Sequence, residues 1–217
     1  MGADAGYIER LLDGGAFHYT RIPVYWGTMG RLARVLDAQP GERILDVGCG
    51  TGVGTRLVRQ GYVGIDVEIP YLHYARRQAT GRDCAFASMS AAALGFHARS
   101  FDKALLINVA HHLDDVLLDE FLVEVARVVR RSVVVLDAAP DTANRVSRFI
   151  LARDRGKHVR PRRELRTLLE RRYDVTQEEV FHNTLRIASQ VLFALAPKPI
   201  GATAAPRRPE QAPPPPV

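Results

Sequence analysis

From residue 43 onward the chain switches repeatedly between short apolar runs and longer segments of helical period. The run Arg43-Ile-Leu-Asp-Val47 reads as a strand, followed by a glycine-rich bend and a helix near 53–60. A second strand, Tyr62 to Asp66, leads into a helix over 70–79, and a third strand lies near 84–88. A fourth strand over 102–108 precedes a long helix over 114–130. There Leu117, Leu118, Phe121, Leu122, Val125, Val128 and Val129 recur at helical spacing behind an N-cap from Asp114-Asp115. The fifth strand, 132–137, is apolar almost throughout, as a sheet covered on both faces requires. A helix near 161–171 and strands near 173–180 and 186–195 close the pattern as an antiparallel pair. This alternation predicts an α/β fold: a Rossmann-like, doubly wound, mostly parallel seven-stranded sheet with a C-terminal antiparallel strand pair.

The first forty residues read as helices. Tyr7, Ile8, Leu11 and Leu12 share one face, Met29, Leu32, Val35 and Leu36 another, and Gln39-Pro40-Gly41 stops the second helix. At the other end, eight of thirteen prolines fall from Pro197 onward, so that stretch is expected to be a disordered or polyproline-like tail. No apolar run approaches the roughly 18 residues of a membrane-spanning helix. The opening Met1-Gly2-Ala3-Asp4 lacks the basic flank and apolar stretch of a secretory signal, and a cytoplasmic location is the expectation. Cys49 and Cys84 make neither a disulfide framework nor a metal cluster and read as packing residues.

The charge of +6 is uneven: between Arg145 and Arg172 eleven basic residues face three acids. A solvated helix surface is the bland reading of that segment. Attraction of an acidic substrate or nucleic acid is the sharper one.

The chemistry concentrates in Ile44-Leu-Asp-Val-Gly-Cys-Gly-Thr-Gly-Val-Gly54. A strand running into Gly48, Gly50 and Gly52 leaves a side-chain-free turn at its carboxyl end, where ligands reach the backbone of open α/β sheets. The spacing fails the dinucleotide fingerprint, since Val53 or Thr55 falls where its last glycine belongs. No Gly-Lys-Ser/Thr follows, so a P-loop is excluded as well.

The Asp46-x-Gly48-x-Gly50-x-Gly52 spacing resembles motif I of class I S-adenosylmethionine-dependent methyltransferases. Twenty residues beyond Asp46, Val63-Gly-Ile-Asp-Val67 resembles the strand whose terminal acid holds the cofactor ribose, here Asp66, with Val67 and Tyr71 beside ribose or adenine. Gly95-Phe96, Ser100-Phe101-Asp102 and Asn108-Val-Ala-His-His-Leu113 resemble the small "type 11"-like subgroup that modifies quinones, lipids and small molecules. The adenine-contacting acid of that subgroup is replaced here by Ser90, leaving backbone groups of Met89 and Ser90 to that task. The usual Lys-Pro-Gly-Gly turn is replaced by Arg130-Arg131-Ser132. Asp154-Arg-Gly-Lys-His-Val-Arg160 resembles the C-terminal part of some small members.

The resemblance covers roughly residues 18–196. It implies a helical lid over 1–40, an S-adenosylmethionine-binding domain over 41–196 and the tail over 197–217. It also implies a cofactor site of Asp46, Gly48, Cys49, Gly50, Gly52, Asp66, Val67, Tyr71, Met89, Ser90, Asn108 and Val109, with S-adenosyl-L-homocysteine as product and no metal. Tyr19, Arg21 and Tyr25 fall where the subgroup supplies a lid. The implied activity is methyl transfer to a small-molecule acceptor such as a lipid, quinone, sugar or secondary metabolite. His111 and His112 follow strand four and are candidates for a general base, His111 being favoured and His158 a lesser candidate. Asp137 either faces the acceptor or caps the next helix. The alternatives are RNA or DNA methylation, drawn from the basic segment, and a cofactor-binding partner protein without catalysis. Against nucleic acid, strand four ends in Asn108-Val-Ala-His111 and lacks the Asn/Asp-Pro-Pro-aromatic run of exocyclic amine methylases.

Overall fold

The structure is a computed structural model, and it describes residue 25, residues 27–152 and residues 156–199. The expected helix with Tyr7, Ile8, Leu11 and Leu12, the lid residues Tyr19 and Arg21, Asp154, and nearly all of the proline-rich tail lie outside the described residues.

Seven strands form one sheet: β1 Ile44–Val47, β2 Tyr62–Asp66, β3 Cys84–Ser88, β4 Phe101–Ile107, β5 Val129–Ala138, β6 Tyr173–His182 and β7 Ser189–Pro197. Their order is β3-β2-β1-β4-β5-β7-β6. β1 to β5 are parallel to their neighbours, and β7 pairs antiparallel with both β5 and β6. The parallel body and the closing antiparallel pair match the fold read from the pattern. The helices are α1 Thr28–Leu36, α2 Ile69–Gln78, α3 Asp115–Val128, α4 Arg145–Leu151 and α5 Arg162–Leu169.

Every residue of β1 and β4 is buried, because each strand feeds two separate cores. Leu45 and Val47 pack with Phe121, Leu122 and Val125 of α3 and Leu165 and Leu169 of α5. Ile44 packs the other way, with Leu32 and Leu36 of α1 and with Tyr62 and Leu105. β5 splits likewise: Val133 and Val135 enter the first core, Val134 and Leu136 the second. Burial of each such aliphatic side chain contributes roughly 1.5–3 kcal/mol.

Three helix boundaries show local chemistry at work. α1 ends at Asp37, which adopts a left-handed conformation three residues ahead of the expected Pro40-Gly41 stop. The Lys103 ammonium reaches across from β4 to donate to the Leu36 and Asp37 carbonyls at 3.0 and 2.6 Å, satisfying groups a helix end leaves open. α3 begins as expected: the Asp114 carboxylate accepts from the Val116 and Leu117 amides. The helix expected over 53–60, by contrast, is a single 3₁₀ turn, Val53–Arg56. Val53, Gly54, Thr55 and Val58 are weak helix formers, and Gly61, at positive φ, turns the chain into β2.

β1 and β4 lie side by side, and the chain leaves them toward opposite halves of the sheet. This is the switch point at which open α/β sheets hold ligands, beyond the carboxyl ends of the strands.

Candidate active site

A cavity of about 520 Å³ opens at that switch point. Its floor is the glycine bend after β1, and its walls are the ends of β2 and β4, the segment after β3, and the start of α3. Of the residues expected to surround a cofactor, Asp46, Gly48, Cys49, Gly50, Asp66, Val67, Tyr71, Met89, Ser90, Asn108 and Val109 all line it. Gly52 does not. Its φ of +78° suits glycine, and a β-carbon there would sit 2.9 Å from the Ala75 β-carbon, so Gly52 serves the packing of the bend on α2. Gly48, with φ of +70°, faces Val109 so closely that a β-carbon would lie 2.5 Å from its Cγ2.

Four amides of the bend, those of Gly48, Cys49, Gly50 and Gly52, are spent within the protein. Those of Gly48 and Cys49 both donate to the Ile65 carbonyl, at 2.8 and 2.9 Å. The Gly50 amide donates to Asp66 Oδ2 at 2.7 Å. A phosphate-binding loop needs such amides free. The cavity lining also carries three carboxylates, Asp46, Asp66 and Glu68, and no lysine or arginine. Such a site repels phosphate and suits a ligand with positive charge.

Asp46 is the most buried of these acids. It is 1% exposed, and Oδ2 accepts the Tyr62 hydroxyl at 2.6 Å. Oδ1 has no hydrogen-bond partner among the described residues. Burial pushes its carboxyl up to about 7; the Tyr62 hydrogen bond opposes that rise, and the nearby Asp66 charge adds to it. Gly54 makes room for this carboxylate, since a β-carbon there would overlap Asp46 Oδ2. Asp66 is solvated enough to use both oxygens: Oδ1 accepts the Glu68 amide at 2.9 Å, while Oδ2 holds Gly50. Glu68, and not Asp66, is the residue preceding α2, and its side chain makes no capping hydrogen bond. Burial, reinforced by Asp46 and Asp66, raises the Cys49 thiol well above its ordinary range, so it is protonated and inert.

On the wall after β3, the Met89 amide donates to the Asp66 carbonyl at 3.2 Å, so that N–H is not available to an adenine ring. Sequence reasoning assigned Leu117 and Phe121 only to a packing stripe, yet both also reach the cavity, as does Leu113. Tyr25 lines it too, and its hydroxyl accepts from Asn108 Nδ2 at 3.2 Å. Asn108 takes a left-handed conformation, φ 55°, as the chain turns out of β4.

The two histidines separate. His112 lines the cavity, whereas His111, the favoured candidate for a base, is 4% exposed and lies behind it. His111 Nδ1 is 2.5 Å from Asp137 Oδ1, and its amide donates to Asp137 Oδ2 at 3.2 Å. Asp137 therefore neither caps α4 nor faces the cavity: it anchors the turn after β4 from the end of β5. The two imidazole ring centres lie 4.3 Å apart with the planes tilted by 40°. His158 also lies outside the cavity lining and joins the same turn through its backbone, its amide donating to the His111 carbonyl.

Four of the eleven basic residues of the segment have acidic partners among the described residues. Arg162 pairs with Asp141 and Glu178, Arg166 with Glu170 and Glu178, Arg172 with Asp119, and Arg160 with Asp115. Apart from Glu170, the acids come from elements distant in sequence, which a count within the segment does not include. Among the described residues no group of three or more His, Cys, Asp or Glu side chains could hold a metal ion, and no helix is long and apolar enough to cross a membrane.

The strand order, the acid-bearing glycine bend and the second acid one strand over place a ligand cavity at the switch point of a Rossmann-like sheet. Residues 44–132 match the family described as a methyltransferase domain. Over 109 residues the chain is 36% identical to the aklanonic acid methyltransferase DauC of Streptomyces sp. (strain C5), a match covering 45% of this chain and 50% of that protein. Over 55 residues it is 44% identical to a phosphoethanolamine N-methyltransferase of Triticum aestivum, covering 24% of this chain and 11% of that one. The chain thus spans half, or much less, of the length of these curated relatives. Among solved structures, magnesium protoporphyrin IX methyltransferase from Synechocystis PCC 6803 with bound SAH shares the fold. Its TM-score is 0.66 at 16% identity, covering 89% of this chain and 100% of that one.

Proposed function

We propose that this protein binds S-adenosylmethionine in the cavity at the β1/β4 switch point and transfers its methyl group to a small-molecule acceptor. The single observation that carries the reading is the lining itself: three carboxylates, no lysine or arginine, and a glycine bend whose Gly48, Cys49, Gly50 and Gly52 amides are already committed. A sulfonium bearing an ammonium group is the kind of ligand such a lining favours. The acceptors named for relatives, aklanonic acid and a magnesium porphyrin among them, support a small organic acceptor such as a secondary metabolite, lipid, quinone or sugar.

The chain's own residues divide the work. Asp66, ending β2, offers its remaining lone pairs to the ribose hydroxyls while keeping the bend in place through Gly50. Asp46 Oδ1 is the buried acceptor available to an ammonium. Val67, Leu113 and Leu117 provide the apolar slot for a base, with Ser90 and Tyr71 beside it. When bound, the cofactor supplies an electrophilic methyl group on sulfur. The chain must then desolvate the acceptor and align it, a contribution that reaches roughly 7–11 kcal/mol in well-oriented systems. His112 is the side chain placed to take a proton from an oxygen or nitrogen acceptor, and a base of this kind adds about 10²–10⁴-fold. His111 and Asp137 hold the turn that presents it.

Isothermal titration of the full chain with S-adenosylhomocysteine tests the first half of this reading. Transfer of a labelled methyl group from the cofactor to a panel of hydroxyl, amine and carbon acceptors tests the second. No heat of binding and no thermal stabilisation by either cofactor form would sink it.

A further inference from the structure

The run ending in Arg160 finds its use in the structure. Arg160 is 7% exposed, and all five of its N–H donors are placed. Nε and Nη2 both reach Asp115 Oδ1, at 2.8 and 2.6 Å. Nη2 also donates to the Leu113 carbonyl at 2.7 Å. Nη1 donates to the carbonyls of Ala110 at 2.9 Å and His158 at 3.0 Å. Ala110 and Leu113 bracket the two histidines, so one guanidinium grips both ends of the turn. Two residues earlier, the His158 amide donates to the His111 carbonyl at 3.0 Å. Two residues earlier again, Gly156 lies against the His111 ring. A β-carbon there would overlap Cδ2 and come within 2.9 Å of the His111 carbonyl oxygen. Gly156 does not have the positive φ that requires glycine, so space alone excludes a side chain.

We infer that residues 156–160 form a strap behind the paired-histidine turn, and that Arg160 and Gly156 are positioning residues that set the direction of His112 into the cavity. The strap and the Asp137 anchor hold the turn from opposite sides: Asp137 takes the His111 ring and amide, and the strap takes the turn's carbonyls. A lysine at 160 has three donors on one nitrogen and cannot span Ala110, Leu113 and Asp115 together. The inference deepens the proposed function and rests on it for the meaning of His112. The contacts themselves do not depend on that reading.

The test uses the full chain as wild type and as R160Q, R160K, G156A and D115A. Histidine ring signals are followed by NMR, including the His111 Nδ1 proton held by Asp137, together with S-adenosylhomocysteine affinity by calorimetry. In R160Q and G156A the His111 Nδ1 proton signal shifts or is lost and the His112 ring signal moves, while affinity for S-adenosylhomocysteine stays within about threefold. R160K does not restore the wild-type signals. With an active acceptor in hand, these variants lose about 10²-fold in kcat, the cost of misplacing a reacting group by about an ångström, with KM for the cofactor unchanged. Should the substitutions at 160 prevent folding, D115A, on a half-exposed carboxylate, gives a smaller displacement of the same signals. Wild-type histidine spectra in both G156A and D115A overturn the inference, as does a loss of S-adenosylhomocysteine affinity equal to any change at the histidines. Failure of wild type to bind S-adenosylhomocysteine overturns the proposed function and leaves the histidine comparison standing.

Discussion

The Asp66 carboxylate holds the Gly50 amide at 2.7 Å, tying the end of β2 to the bend that leaves β1. One side chain thereby shapes the floor of the cavity and presents the charge expected to meet a ribose. Asp66→Ala removes both contributions. Affinity for S-adenosylhomocysteine is expected to fall by about 1.5–3 kcal/mol, the range for hydrogen bonds to a charged group. Calorimetry on a variant with wild-type circular dichroism measures it, and undiminished affinity contradicts the assignment.

Asp46 should act against stability at neutral and alkaline pH. Its carboxyl is pushed up to about 7 in the folded chain, against an ordinary value near 4, so the folded state holds its proton more tightly than the unfolded state does. The favourable contribution is complete below about pH 4 and is lost as pH rises toward 7. Asp46→Asn is expected to unfold about 1–3 kcal/mol less readily than wild type at pH 8, with the advantage vanishing near pH 4. Denaturant melts at the two pH values decide it. A variant less stable than wild type at pH 8 refutes the point.

Gly54→Ala is expected to destabilise through overpacking against the Asp46 carboxylate and the Tyr62 ring, which a β-carbon would meet at 3.2 Å. The cost should be about 1–3 kcal/mol. Combining it with Asp46→Ala should recover part of that loss, and strictly additive costs in a double-mutant cycle count against a direct contact.

The paired arginines of α5 and its flanks should make this a poor nucleic-acid binder despite the +6 net charge. Binding to duplex RNA, followed by fluorescence anisotropy at 50 and 200 mM salt, is expected to be weak at both. Tight binding with a steep salt slope instead reports many phosphate contacts and revives the nucleic-acid reading.

The glycine bend, the two strand-terminal acids and the parallel sheet were legible because each depends on residues close in sequence. Strand period, glycine spacing and a strand-end acid are all local signals. The missing helix after the bend shows the limit: Val53, Gly54, Thr55 and Val58 are weak helix formers, and the segment keeps only a 3₁₀ turn. Of the two candidate histidines the sequence favoured His111, whereas His112 is the one that lines the cavity. The Asp137 anchor spans 26 residues and exists only because β4 and β5 are neighbours. Arg160 was likewise counted as surface charge, since its partners on the turn after β4 lie 45 to 50 residues away. Apolar stripes mislead in a similar way, for Phe121 meets the helical period of a core residue while one side of it faces the cavity.

That double duty of Phe121 ties recognition to architecture. The helix that closes one face of the sheet also supplies a wall of the ligand chamber, through the buried Phe121 and the 43% exposed Leu117. Adapting the chamber to a different guest by reshaping this wall would therefore trade against the integrity of the α3 seam, whereas changes on the Val67 lip, 64% exposed, carry no such penalty.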